Sequence, residues 1–134
     1  FWRSGFRALI PWIYSFSNGD PLNYLDGATM DFFNRREPDG TPVPVAMWEA
    51  YREGYDDYRY IFTLEQLIAE AKQSPKAGAR SAALAAEREL NFVWNAIRVQ
   101  PKYKYDGLWA PEELDVYRWL VARQILAVRE ARAK

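Results

Sequence analysis

The chain has 134 residues, with 18 basic and 18 acidic side chains and no net charge, so it lacks the long-range field that gathers nucleic acid or an anionic membrane. It contains no Cys and no His, which removes disulfides, thiolate nucleophiles, the commonest metal ligand and the commonest general base. Its 49% hydrophobic content can build a core, and six Trp, nine Tyr and seven Phe add large burial per residue or flat faces on which sugars stack.

From this composition we expect no metal, no cofactor, no nucleic-acid partner and no membrane partner, since no apolar run approaches the roughly 20 residues that a bilayer requires. Any chemistry falls to carboxylates, Tyr, Lys or Arg. The chain opens at Phe1 inside an apolar element and is read as part of a longer polypeptide, the rest of which would be its first partner.

Residues 1–7 read as the tail of a helix, with Gly5 as its stop. Residues 8–15, ALIPWIYS, have the density of a buried strand with Ile10, Trp12 and Tyr14 on one face and Leu9, Pro11 and Ile13 on the other. Two apolar faces fit a parallel strand covered on both sides, and Pro11 points to a strand end or irregular pairing. Residues 16–44 carry SNGDP, LDG, EPDG and TPVP without sustained periodicity, and read as one long loop pinned by Phe16, Tyr24, Phe32 and Phe33. Asp20, Asn23, Asp26 and Asp31 miss the spacing of a calcium loop and are better read as turn formers.

A long helix is predicted over about 45–73. Tyr51, Tyr55, Tyr58 and Phe62 share one face, and Ile61, Leu64, Ile68 and Ala71 form a second stripe one register along, so the buried face is expected to rotate along the helix. Gly54 in a helix interior suggests close backbone packing or a kink. Glu49, Arg52, Glu53, Asp56, Asp57 and Arg59 alternate in sign at helical spacings. Glu53 and Asp57 would stand about 5–6 Å apart at Cβ, near the separation of a glycosidase acid pair. Both would project in parallel from one helix, however, and flanking arginines lower carboxyl pKa values, the wrong direction for a general acid. A structural ion-pair lattice is the plainer reading of these six residues.

Two more helices complete the chain. One is predicted over about 79–99, Ala-rich at first and burying Leu90, Val93, Trp94 and Ile97. The other covers about 111–131, starting at Pro111 with Glu112 and Glu113, where the helix dipole favours negative charge. Leu114, Tyr117, Val121, Ile125 and Val128 line its buried face. Between them Lys102, Tyr103, Lys104 and Tyr105 read as an exposed connection. Residues 74–134 are thus expected to form a helical C-terminal extension whose helices pack antiparallel.

The strings PWIYSFSNGDPLNYLDG and TPVPVAMWEAYREGYDDYRYIFTLEQLIAEAK together resemble the end of the catalytic region in glycoside hydrolase family 123-like proteins, with WEA-x-REG-x-DDYRY as the specific core. The resemblance covers roughly the first half of the chain. It implies a (β/α)8 (TIM) barrel in which 8–15 is a late strand and 45–73 the helix behind it, so that 1–73 closes a barrel domain and the visible chain is mainly α. It also implies a carbohydrate ligand and a secreted or periplasmic setting. The family's activity is substrate-assisted hydrolysis of N-acetylhexosaminides by a neighbouring Asp-Glu pair on a middle strand, which would lie upstream of Phe1, so no catalytic residue is expected in this chain.

Barrel chemistry sits where strands end. That placement makes Trp12 a candidate sugar-stacking platform and Tyr14 and Asp20 candidate hydrogen-bonding groups at the pocket rim, while a core ring is an equal reading of Trp12. Met47 stands where relatives carry Arg, and its presence removes a charge partner of the loop or barrel wall. Both an active glycosidase and a barrel that has lost or changed its substrate are compatible with that departure, as is the alternative of a non-catalytic structural or binding helical module.

Overall fold

A computed structural model describes residues 2, 5, 34–36, 39, 41–44, 46–97 and 111–134. Within them the chain is mainly α: β1 (Asn34–Arg36), β2 (Pro42–Pro44), α1 (Ala46–Lys72), α2 (Ala77–Ala96) and α3 (Pro111–Ala133) follow one another. The chain divides into two compact units, Phe1–Asp56 and Asp57–Lys134, and α1 runs through the division. The predicted strand over 8–15 lies outside the described residues.

In the first unit Gly5 has a φ of +69°, the left-handed region that a side chain disfavours, and its N–H donates to the Trp2 carbonyl at 3.2 Å. The stretch read as one long loop contains a small hairpin. β1 and β2 pair antiparallel with Asn34 opposite Pro44 and Arg36 opposite Pro42. A Pro-Val-Pro strand has two residues that cannot donate to a ladder, which is why its sequence reads as irregular. The turn between the strands is set locally: the Thr41 N–H donates to Asp39 Oδ1 at 2.9 Å, and that bond, with the Thr41 hydroxyl, holds the Asp39 carboxyl below its ordinary value.

The first unit ends in the opening turns of α1. Gly54 sits there with nothing among the described residues, beyond the helix's own backbone, within 4 Å of where a Cβ would stand. Close packing at this glycine, one of the two readings its sequence position suggested, is therefore corrected. With helical φ, ψ and room for a methyl, Gly54→Ala is expected to raise stability by about 0.5–1 kcal/mol through the smaller entropy of the unfolded chain, which chemical denaturation followed by helix ellipticity would measure.

The second unit comprises residues 57–72 of α1 with α2 and α3. Leu64, Leu67, Ile68 and Ala71 of α1 are buried with Ala79, Ala83, Ala86, Leu90 and Val93 of α2 and Val121, Ile125 and Val128 of α3. The α2 series steps by four, three, four and three, the spacing that keeps one seam against a partner helix. Its first three members are alanines, and α2 and α3 are the most closely packed helices among the described residues.

Helix ends follow their chemistry. Pro75 disfavours helical backbone at the residue before it, and the chain breaks between Lys72 and Ala77. Lys76 is the N-cap of α2 but makes no side-chain cap bond there. Instead its Nζ reaches the far end of α3, donating to the Arg132 carbonyl at 2.8 Å and the Ala133 carbonyl at 3.4 Å, where the carbonyls of a helix C-terminus attract a cation. The Arg80 guanidinium donates to the Ser74 and Pro75 carbonyls, both at 2.7 Å. These bonds place the start of α2 beside the end of α3, so the two helices run antiparallel. Ion pairs from Glu70 to Arg132 at 2.6 Å and from Asp57 to Arg118 set α3 parallel to α1.

The exposed and buried stripes of α1 are assigned unequally. Leu64, Ile68 and Ala71 are buried and Ile61 is half-buried, whereas Tyr51, Tyr55 and Phe62 are exposed and Tyr58 is half-buried, so the fully buried side chains of α1 among the described residues are aliphatic. In α2 Leu90 and Val93 are buried, but Trp94 and Ile97 are only half-buried and the helix stops at Ala96. In α3 Val121, Ile125 and Val128 are buried, while Tyr117 is half-buried and Leu114 exposed.

Candidate functional site

The densest charged constellation in the described residues is the one the WEAYREGYDDYR string supplies. Successive turns of α1 bring Glu49, Glu53 and Asp56 around one guanidinium. Arg52 Nε donates to Glu49 Oε2 at 2.8 Å and Nη2 to Glu53 Oε1 at 2.7 Å, and Nη1 lies 3.5 Å from Asp56 Oδ2. The hydrogen bond to Glu49, then the charges of Glu49 and Glu53, push the Arg52 pKa up from an already high value, so this centre stays cationic. Beside it the rings of Trp48 and Tyr51 stack with centroids 6.2 Å apart.

Asp57 belongs to the second unit and faces α3. Arg118 Nε donates to Asp57 Oδ1, and the same guanidinium approaches Asp115 Oδ1 at 3.7 Å. Both partners of the Asp57–Arg118 pair are partly buried, so water screens it less than the half-exposed Arg52 cluster. The Arg59 carbonyl accepts a bond from the Thr63 hydroxyl at 2.8 Å. Glu53 and Asp57, the two acids at the spacing of a glycosidase pair, each have a different arginine as ion-pair partner.

Trp12, Tyr14 and Asp20, the candidate sugar contacts, lie outside the described residues, as do Lys102, Tyr103, Lys104 and Tyr105. Among the described residues no group of three or more His, Cys, Asp or Glu is arranged to hold a metal. None of the described helices is long and apolar enough to cross a membrane.

Local spacing does not reveal Arg118 as the partner of Asp57, because the two are 61 positions apart. The same holds for Lys72 with Glu87, bonded at 2.6 Å between α1 and α2. A further pair was visible in principle: Trp119 and Arg123 are four apart on α3, and the Arg123 guanidinium carbon sits 4.7 Å from the Trp119 ring centroid, within cation–π range. Phe92 of α2 meets Tyr117 of α3 edge to face at 6.4 Å.

Compared with protein-family models, curated proteins and solved structures, the chain matches none.

Proposed function

We propose that this chain is the C-terminal portion of a carbohydrate-active, glycoside hydrolase-like protein, in which the described helices act as a non-catalytic brace and the catalytic acids lie elsewhere in the polypeptide. The observation that carries this reading is the pairing of all four acids of the WEAYREGYDDYRY string with arginines: Glu49, Glu53 and Asp56 with Arg52, and Asp57 with Arg118. A carboxylate engaged by a guanidinium is fixed in one orientation by a charge-assisted bond to its own scaffold, which suits a strut and not a group that meets substrate. Trp12, Tyr14 and Asp20 remain the proposed contacts to a sugar carrying an N-acetyl group, and the late-strand placement of 8–15 in a (β/α)8 barrel belongs to the same proposal.

The test is hydrolysis of nitrophenyl N-acetylhexosaminides by the longer polypeptide and by this 134-residue chain. Turnover is expected from the former and not from the latter. In the longer polypeptide Glu53→Gln should leave kcat within about threefold. Loss of a working acid or base would instead remove about 10²–10⁴, and a loss of that size, or turnover by this chain alone, would overturn the reading.

A second reading, a helical interaction module without a role in hydrolysis, is favoured by one observation: α3 exposes an apolar stripe on the side opposite its core. Under that reading neither polypeptide hydrolyses the substrates.

A further inference from the structure

Helix α3 is apolar on two sides. Val121, Ile125 and Val128 face the core, while Val116, Trp119 and Leu126 are 54%, 60% and 66% exposed. At 100° per residue the exposed three, with Arg123, centre roughly 180° from the buried three. Their steps of three, four and three are those of a helix–helix seam. A helix that serves only one core needs no second seam, and solvent exposure of three large apolar side chains along one line of a helix marks a contact surface.

Charges beside the seam indicate what covers it. Asp115 flanks one end and Arg129 the other, on the same side of the stripe. Asp115 is 77% exposed and touches Arg118 only loosely at 3.7 Å. No carboxylate among the described residues pairs with Arg129. If a second α3 is laid antiparallel on the first, with the two-fold between Trp119 and Arg123, Val116 meets Leu126 of the second copy and Trp119 meets its Arg123. The flanking positions then set Asp115 against the second copy's Arg129 twice over, once on each side of the axis. A parallel arrangement would set these flanking residues of the two copies on opposite sides of the seam and form no Asp115–Arg129 pair. The cation–π contact already formed within each helix presents the Arg123 stem and the Trp119 ring together as one surface, and a guanidinium stacked on indole is tolerated in a seam where an isolated cation is not. Beyond the seam Glu112 would face Glu130, which is tied to Lys134 at 2.5 Å; the contact therefore ends near positions 115 and 129. With no net charge on the chain, no long-range repulsion opposes self-association.

We infer that the outer face of α3 is a self-association surface, on which a second copy of this chain docks antiparallel through Val116, Trp119, Arg123 and Leu126, with Asp115 and Arg129 setting the direction. The seam is about 21 Å long at the rise of a helix, so the interface is at the small end for specific contacts and the dimer is weak and concentration-dependent. This inference does not depend on sugar binding, since its readout is mass.

The experiment is sedimentation equilibrium of the 134-residue chain from about 10 μM to 1 mM at low salt, where surface charge pairs are least screened. The expected result is a mass rising from 15.7 kDa toward twice that value. Asp115→Arg is expected to weaken association about tenfold or more by converting two attractive pairs into repulsive ones, and Asp115→Arg with Arg129→Asp to restore it to within about threefold. Trp119→Lys should abolish it. Every one of these positions is exposed, so circular dichroism should report unchanged helix. A mass of 15.7 kDa at all concentrations, an unaffected Trp119→Lys variant, or a double reversal that fails to restore association would each overturn the inference; a constant monomer would assign the face to a different protein segment.

Discussion

Replacing Leu64 with Ala is expected to cost about 2–5 kcal/mol of stability, whereas Phe62→Ala, two positions earlier on the same helix, should change it by about 0.5 kcal/mol or less. Leu64 is 0% exposed and one of the two largest fully buried side chains, while Phe62 is 49% exposed. Truncating Leu64 removes the transfer free energy of its side chain and leaves a void in the core, around which the packing relaxes only partly. Truncating Phe62 mostly exchanges a wet ring for water. Urea denaturation with the midpoint shifted and the slope unchanged would measure both. Were the aromatic stripe of α1 the core, Phe62→Ala would be the costlier change, at about 3–5 kcal/mol, and that order of effects would overturn the assignment of faces.

The helices were legible in the sequence because each has its own local cause. Pro111 followed by Glu112 and Glu113 opens α3, Pro75 marks the break between α1 and α2, and aliphatic residues recur at steps of three and four throughout the second unit. What local pattern does not decide is which of two stripes faces inward. Helix α1 has an aromatic and an aliphatic stripe, and α3 has Val121, Ile125 and Val128 on one side and Val116, Trp119 and Leu126 on the other. Each stripe has helical period, and only the partner helix chooses between them. The charged cluster shows the same division. Arg52 finds Glu49, Glu53 and Asp56 within a turn of itself, so spacing alone groups them. Asp57 is engaged from α3 by an arginine 61 positions away, which no window of sequence contains. The hairpin of β1 and β2 stayed hidden because its prolines mimic irregular chain, and Trp12, Tyr14 and Asp20 lie outside the described residues.

The second large effect is expected from adding atoms. Ala79, Ala83 and Ala86 are all 0% exposed on the face of α2, and their small side chains allow the close approach of α2 to α3. Ala83→Leu adds three carbons at a position that is 0% exposed. The helices must separate or neighbouring side chains must leave their rotamers, and overpacking of this kind costs about 1–3 kcal/mol. Helix propensity does not supply the loss, since Ala and Leu differ by only a few tenths of a kcal/mol. The adjacent position is the control: Leu84 is 52% exposed, so Leu84→Ala should stay within about 0.5 kcal/mol. The residue pair Ala83-Leu84 thus has its larger member outside and its smaller one inside, the reverse of a rule based on hydrophobicity alone. Differential scanning calorimetry of the two variants checks the order, and an Ala83→Leu chain as stable as the parent would mean that the seam between α2 and α3 is looser than its buried alanines imply.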